Sequence, residues 1–97
     1  MTLPVTEAQW QRSVVDLARY HGWWVLHHPD SRRATEAGMP DLTLVRPPRL
    51  LFAELKTARG QVRPDQAKVF AMLADCGAET VVWRPGDMDI VREVLAR

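Results

Sequence analysis

The sequence predicts an α/β fold in which a mixed sheet is flanked by helices, in the order helix, three strands, helix, strand, short C-terminal helix. Three stretches place apolar residues at helical spacing, and four shorter ones are rich in branched, aromatic or aliphatic residues. Between them fall the residues that interrupt regular structure: Gly22, Pro47-Pro48, Gly77 and Pro85-Gly86. The length of 97 residues is that of one domain, so residues 1–97 are expected to form a single unit with room for a small core and one site.

The first helix opens at Thr6, which with Gln9 three residues later has the spacing of a capping box. Trp10, Val14, Leu17 and Ala18 form one apolar stripe as far as Tyr20-His21, and Gly22 closes the helix. Trp23–His27 reads as a strand, and Pro29–Pro40, polar and containing Gly38, as a loop. Asp41–Val45 and Leu50–Lys56 are two strands joined by Arg46-Pro47-Pro48-Arg49, a turn because neither proline has an N–H to give a sheet. They are expected to pair as a hairpin. After the polar segment Thr57–Arg63, Pro64 starts a helix with Ala67, Phe70, Ala71 and Ala74 inward, and Gly77 stops it. Glu79–Arg84 is a fourth strand, and Asp87 caps a last helix with Ile90, Val91, Val94 and Leu95 inward. Trp10 and Trp83 read as core. Of the adjacent Trp23 and Trp24, one must face away from it.

An apolar fraction of 46% and a charged fraction of 26% exclude a disordered chain. No apolar run is long enough to span a membrane, and the N-terminus lacks the basic and apolar regions of a signal peptide. The single cysteine, Cys76, excludes an internal disulfide and a cysteine zinc cluster. The expected setting is the cytoplasm. Net charge is only +1, but residues 27–63 carry +3 and residues 64–97 carry −2. A basic centre suits a polyanionic ligand, or is simply a solvated face.

Side chains two apart in a strand share a face, so Glu54 and Lys56 project together. With residues 41–46 antiparallel to 49–56, Asp41 reaches the same end of the hairpin. Two carboxylates and an amine then converge where they can hold a hard divalent cation beside an attacking water. The other reading is a surface ion pair of Glu54 with Lys56, with Asp41 a turn residue. Glu7 lies three and seven residues before Trp10 and Val14 and shares their face. It either complements the helix dipole or completes a metal site. Gln66 precedes Phe70 and Leu73 by four and seven residues and faces the sheet, as a first-turn polar residue or as part of the site.

Pro40-Asp41 followed by Glu54-Leu55-Lys56 resembles the PD-(D/E)xK nuclease motif, and the element order resembles that superfamily's restriction-endonuclease-like αβββαβ core. With Glu7, Gly38-Met39-Pro40-Asp41, Phe52-Ala53-Glu54-Leu55-Lys56 and Gln66, the chain is similar to the stand-alone VRR-NUC family over Thr6–Trp83. The resemblance implies a structure-selective DNA endonuclease. It implies that Asp41 and Glu54 coordinate Mg²⁺ or Mn²⁺ with the Leu55 carbonyl as a further ligand. Lys56 would orient or help deprotonate the attacking water and stabilise phosphate charge. Glu7 would bind a second ion or hold a water, and Gln66 would position Lys56 or the water. One departure stands at Arg63, where a serine or threonine cap often precedes such a helix.

Arg32 and Arg33 in the first loop and Arg59 and Arg63 in the second are placed to meet DNA phosphates, with His27 and His28 at the end of the strand leading in. No base-reading element is evident. A four-way junction needs two coordinated cuts, so a resolvase-like homodimer is expected, as the resemblance also implies. The alternatives are a nicking or flap and fork nuclease working beside a phage replication-repair helicase, and a DNA-binding adaptor that does not cleave. The resemblance fits a phage or prophage origin and a bacterial host cytoplasm, with no membrane partner.

Overall fold

The computed structural model describes residues 4–28 and 36–97. Thr6 accepts the Gln9 N–H at 3.1 Å, and the Gln9 side chain accepts the Thr6 N–H at 2.9 Å. This reciprocal cap starts α1 (Glu7–Tyr20), which buries Trp10, Val14 and Ala18. Gly22, at φ 83°, supplies the left-handed residue that ends it.

Four strands follow: β1 (Trp24–His27), β2 (Leu42–Arg46), β3 (Arg49–Leu55) and β4 (Glu79–Trp83), in the sheet order β1-β2-β3-β4. The first three are antiparallel and β4 runs parallel to β3. The mixed sheet predicted from the sequence is therefore present. Helix α2 (Pro64–Asp75) is the β3–β4 crossover, and a short turn at Pro85–Asp87 leads into α3 (Met88–Ala96).

Alternation divides the sheet into two faces. Leu42, Leu44, Leu51, Ala53 and Leu55 point towards α1 and α3, where they are at most 1% exposed and pack with Trp10, Trp23, Trp83, Val91 and Leu95. Thr43, Val45, Leu50, Phe52 and Glu54 occupy the other face, the one α2 crosses. No helix among the described residues is long and apolar enough to cross a membrane.

Several expectations are corrected. Trp23 precedes the strand instead of opening it, and is buried while Trp24 is exposed. The hairpin turn contracts to Pro47-Pro48, because Arg46 and Arg49 pair with each other across the strands. Ala67, Ala71 and Ala74 of α2 are exposed. The helix instead presents the line Gln66, Phe70, Leu73 to the sheet, since an alanine methyl loses little in water and the larger side chains gain more by burial. Ile90, expected inward, is 54% exposed, and the buried line of α3 is Val91, Val94 and Leu95. Asp87 does not cap α3 through its side chain. Its carboxylate accepts the Arg84 N–H at 2.8 Å and so closes the preceding turn.

Arg46 and Arg49 also leave the basic centre read from the sequence. They sit at the far end of the hairpin from Asp41 and Glu54, with guanidinium carbons 4.6 and 4.8 Å from the Trp23 ring centre. Arg46 donates to the carbonyls of His21, Leu95 and Arg97, and Arg49 to those of Val94 and Arg97 and to the Glu79 carboxylate. Both arginines thus satisfy the end of α3, where carbonyls otherwise lack partners.

Candidate active site at the end of the β2–β3 hairpin

The register pairs Leu42 with Ala53, so the next pair outward is Asp41 with Glu54, on the α2 face. Their interlock is direct: the Asp41 N–H donates to Glu54 Oε1 at 3.2 Å, and the Leu55 N–H donates to Asp41 Oδ2 at 2.8 Å. The second Glu54 oxygen, Oε2, accepts from Gln66 Nε2 at 2.8 Å and lies 3.0 Å from Lys56 Nζ. Glu54 is 2% and Gln66 3% exposed. The structure therefore brings Asp41, Glu54, Lys56 and Gln66 into one hydrogen-bonded cluster. The alternative of a surface ion pair does not describe a Glu54–Lys56 contact whose side chains are 2% and 15% exposed.

Gln66 has a second role that sequence reasoning missed. Its Oε1 accepts the Arg63 N–H at 2.9 Å, so the side chain that holds Glu54 also caps α2. This explains how a helix with Arg63 at its N-cap opens without a serine or threonine there. The Arg63 guanidinium is turned to Asp65 at 3.2 Å, which holds the Asp65 carboxyl below its ordinary range.

Burial raises the carboxyls of both Asp41 and Glu54 above their ordinary values, and each is affected by neighbouring charge. For Asp41 the Leu55 N–H acts in the opposite direction and the Glu7 charge adds to the rise. For Glu54 the contact with Lys56 opposes burial and the Asp41 charge adds to it. A pair of desolvated carboxylates that repel each other is stabilised by a cation between them, and a carboxylate oxygen pair suits a hard divalent ion. The donor chemistry therefore fits Mg²⁺ or Mn²⁺. Among the described residues no group of three or more His, Cys, Asp or Glu side chains is already gathered into a metal cage. A carbonyl ligand such as Leu55 lies outside that kind of set.

Glu7 is corrected in one respect. It stands exposed in the first turn of α1 and is not packed inward, yet it is close enough for its charge to raise Asp41. The buried stripe of α1 begins at Trp10. The His28 N–H donates to the Asp41 carbonyl at 2.7 Å, and its ring is hydrogen-bonded with Thr43 Oγ1 at 2.9 Å. His28 thus extends β1 by one pair to the site, while His27 is exposed. Arg59 is exposed beside an apolar groove of about 710 Å³ lined with Pro4, Val5, Thr57, Ala58 and Pro85. Arg32 and Arg33 lie outside the described residues.

Gly38 fixes the approach to Asp41. It adopts φ 101°, and a Cβ there would lie 2.5 Å from the Asp65 carbonyl oxygen and 2.9 Å from Val69 Cγ2. Only glycine satisfies both the backbone angle and that approach. Gly38→Ala is expected to lower stability by about 2–4 kcal/mol, from left-handed strain plus overpacking. The check is a denaturant melt.

A mixed four-strand sheet with flanking helices, carrying Asp41 and the Glu54-Leu55-Lys56 run on one hairpin, defines a nuclease domain of the PD-(D/E)xK type. Within that class the chain belongs to the VRR-NUC family, whose sequence pattern, the VRR-NUC domain, matches residues 7–85. A solved structure described as a VRR-NUC domain protein superposes with a TM-score of 0.75 at 25% identity, covering 96% of this chain and 87% of the other. A second, described as a VRR-NUC domain, gives 0.74 at 22% identity, covering 90% and 94%, and supports the fold. No curated protein matches the chain.

Proposed function

We propose that the chain is a metal-dependent, structure-selective DNA endonuclease that hydrolyses phosphodiester bonds as a homodimer, with four-way or otherwise branched DNA as substrate. The observation that carries this reading is the convergence of Asp41, Glu54, Lys56 and Gln66 in one cluster at a hairpin end. Hydrolysis of a phosphodiester needs a positioned water and positive charge where the phosphate oxygens become more negative. Asp41 and Glu54 would hold Mg²⁺ or Mn²⁺ together with the Leu55 carbonyl. A cation bound there supplies Lewis-acid stabilisation and acidifies a water. Lys56 holds a positive charge beside Glu54 and offers a donor to the attacking water or to the phosphate. Gln66 fixes the Glu54 carboxylate. Glu7 is suited to a second ion or to a water, and Arg59, His27 and His28 to the DNA backbone.

The homodimer reading draws on the sheet. Among the described residues helix α2 packs chiefly against β4, and apolar side chains of β1 and β3 on its face of the sheet are exposed. Trp24 is 58%, Leu26 43% and Leu50 42% exposed. Trp24, Val45 and Leu50 form one row across the sheet, and Leu26, Thr43 and Phe52 the next. A row this apolar with no charged member suits an isologous contact with a second copy, which also supplies the second cut. Trp24→Glu is expected to turn a sedimenting dimer into a monomer and to abolish paired cleavage while single nicks persist. A wild type that sediments as a monomer at tens of micromolar would contradict the dimer.

The test of substrate uses purified protein with Mn²⁺, then Mg²⁺, on end-labelled four-way junction, flap, fork, single-stranded and duplex DNA. Paired symmetric cuts in the junction support the resolvase-like dimer. Cuts confined to flaps or forks keep the nuclease and favour work beside a replication-repair helicase. Tight binding without cleavage favours the adaptor. The proposal places this activity in the cytoplasm, and a phage or prophage setting is consistent with it.

A further inference from the structure

The end of β4 reaches behind Lys56 from two sides. The Trp83 carbonyl accepts the Lys56 N–H at 3.1 Å and the Trp10 indole N–H at 3.0 Å, so it ties the lysine's backbone to α1 and to the core. The next residue, Arg84, turns its guanidinium to the segment following the lysine. One nitrogen, Nη1, donates to the Thr57 carbonyl at 2.7 Å and to the Gly60 carbonyl at 2.5 Å. These two carbonyls bracket a tight turn, which the Gly60 N–H closes on the Thr57 oxygen at 3.3 Å.

That turn lies against the Lys56 stem. Gly60 stands beside it: the space that a Cβ on Gly60 would enter is bordered by Lys56 Cδ at 3.5 Å and Lys56 Cβ at 3.6 Å. The stem of Lys56 thus runs alongside the turn, and its ammonium, with the side chain 15% exposed, ends 3.0 Å from Glu54. A four-carbon side chain with free rotation would spread its ammonium over several ångströms.

We propose that Arg84 is a positioning residue for Lys56: by pinning the Thr57 and Gly60 carbonyls it holds the turn that confines the lysine stem. The inference rests on the nuclease reading for its catalytic consequence, but not for its structural one. Arg84 needs no contact with substrate to act in this way. A guanidinium suits the task because one planar group reaches two carbonyl oxygens in fixed directions.

The experiment compares wild type, Arg84→Met and Arg84→Lys in the full chain. It measures steady-state cleavage of labelled branched DNA with Mn²⁺, DNA affinity at two salt concentrations, and side-chain ¹³C relaxation of Lys56 in metal-free protein. Arg84→Met is expected to lower kcat about 10- to 100-fold, the scale of a misplaced catalytic group, with KM and DNA affinity within about twofold. The Lys56 side chain should become more mobile. Arg84→Lys should recover most of kcat, because an ammonium still donates to at least one of the carbonyls. If Arg84→Met is poorly folded, Arg84→Gln is read by the same measures and should fall between the two. Weaker DNA binding with a reduced salt slope and unchanged kcat would overturn the proposal in favour of a phosphate contact. A lower melting temperature with unchanged kcat and unchanged Lys56 relaxation would reduce Arg84 to a stabilising residue. A wild type that cleaves nothing sinks the nuclease reading, and the relaxation data then still decide whether Arg84 confines Lys56.

Discussion

Asp41→Asn is expected to melt a few degrees above the native chain at pH 7.5 in chelator, and to lose nuclease activity by at least about a thousandfold. The stability half follows from linkage. Burial holds the Asp41 carboxyl above its ordinary value, so the folded state favours the protonated form. That preference helps stability fully below the unfolded carboxyl's pKa of about 3.9 and is lost as pH rises through the folded value. At neutral pH the ionised side chain therefore opposes folding, and asparagine removes the opposition while its carbonyl still accepts the Leu55 N–H. In a domain of this size 1 kcal/mol corresponds to about 4–8 °C, which sets the resolution the melt needs. The difference between the two proteins should shrink as pH falls towards 4. Mn²⁺ should raise the melting temperature of the native chain and leave that of Asp41→Asn little changed. A variant that melts lower at pH 7.5, or gains equally from Mn²⁺, would mean that Asp41 is a structural residue.

Lys56→Ala carries the other large effect. Cleavage should fall by about 10²–10⁴-fold, the range for loss of a charged group acting on the water or the phosphate. The variant should also be less stable at pH 7.5, because Glu54, 2% exposed, loses the ammonium at 3.0 Å. Gln66 and the Asp41 N–H remain on the carboxylate. Since the Glu54 carboxyl already lies above its ordinary value, with burial the main cause, it takes up a proton as pH falls and the stability gap should narrow. Melting curves from pH 5 to 8 check this alongside the rate. Activity within tenfold of the native chain would remove Lys56 from the chemistry.

The parts of the fold legible in the sequence are those set by neighbours in the chain. Thr6 and Gln9 cap α1 as their spacing requires, and the alternation of β2 and β3 fixes a register that brings Asp41 opposite Glu54. Gln66 was legible on the sheet-facing side because it stands four and seven residues before Phe70 and Leu73. What was not legible depends on partners far along the chain. Arg46 and Arg49 look like members of a basic segment until the end of α3, about fifty residues away, takes their donors. Arg63 looks free for phosphate until Asp65 binds it. The alanines of α2 occupy positions compatible with burial, and only packing against β4 decides that Phe70 and Leu73 face in. Arg84 carries no local signal, since its two carbonyl partners belong to a turn more than twenty residues earlier. Gly38 did stand within the family's motif, but its reason, contact with the first turn of α2, is tertiary.

The measurement that bears most directly on the central claim is anomalous diffraction from crystals soaked in Mn²⁺. The account predicts one peak bonded by Asp41, Glu54 and the Leu55 carbonyl, at the 2.0–2.2 Å or so usual for small divalent ions with oxygen ligands, with Lys56 still beside Glu54. Saturating Mn²⁺ that leaves this cluster without a peak, while the same protein cuts DNA, would contradict it.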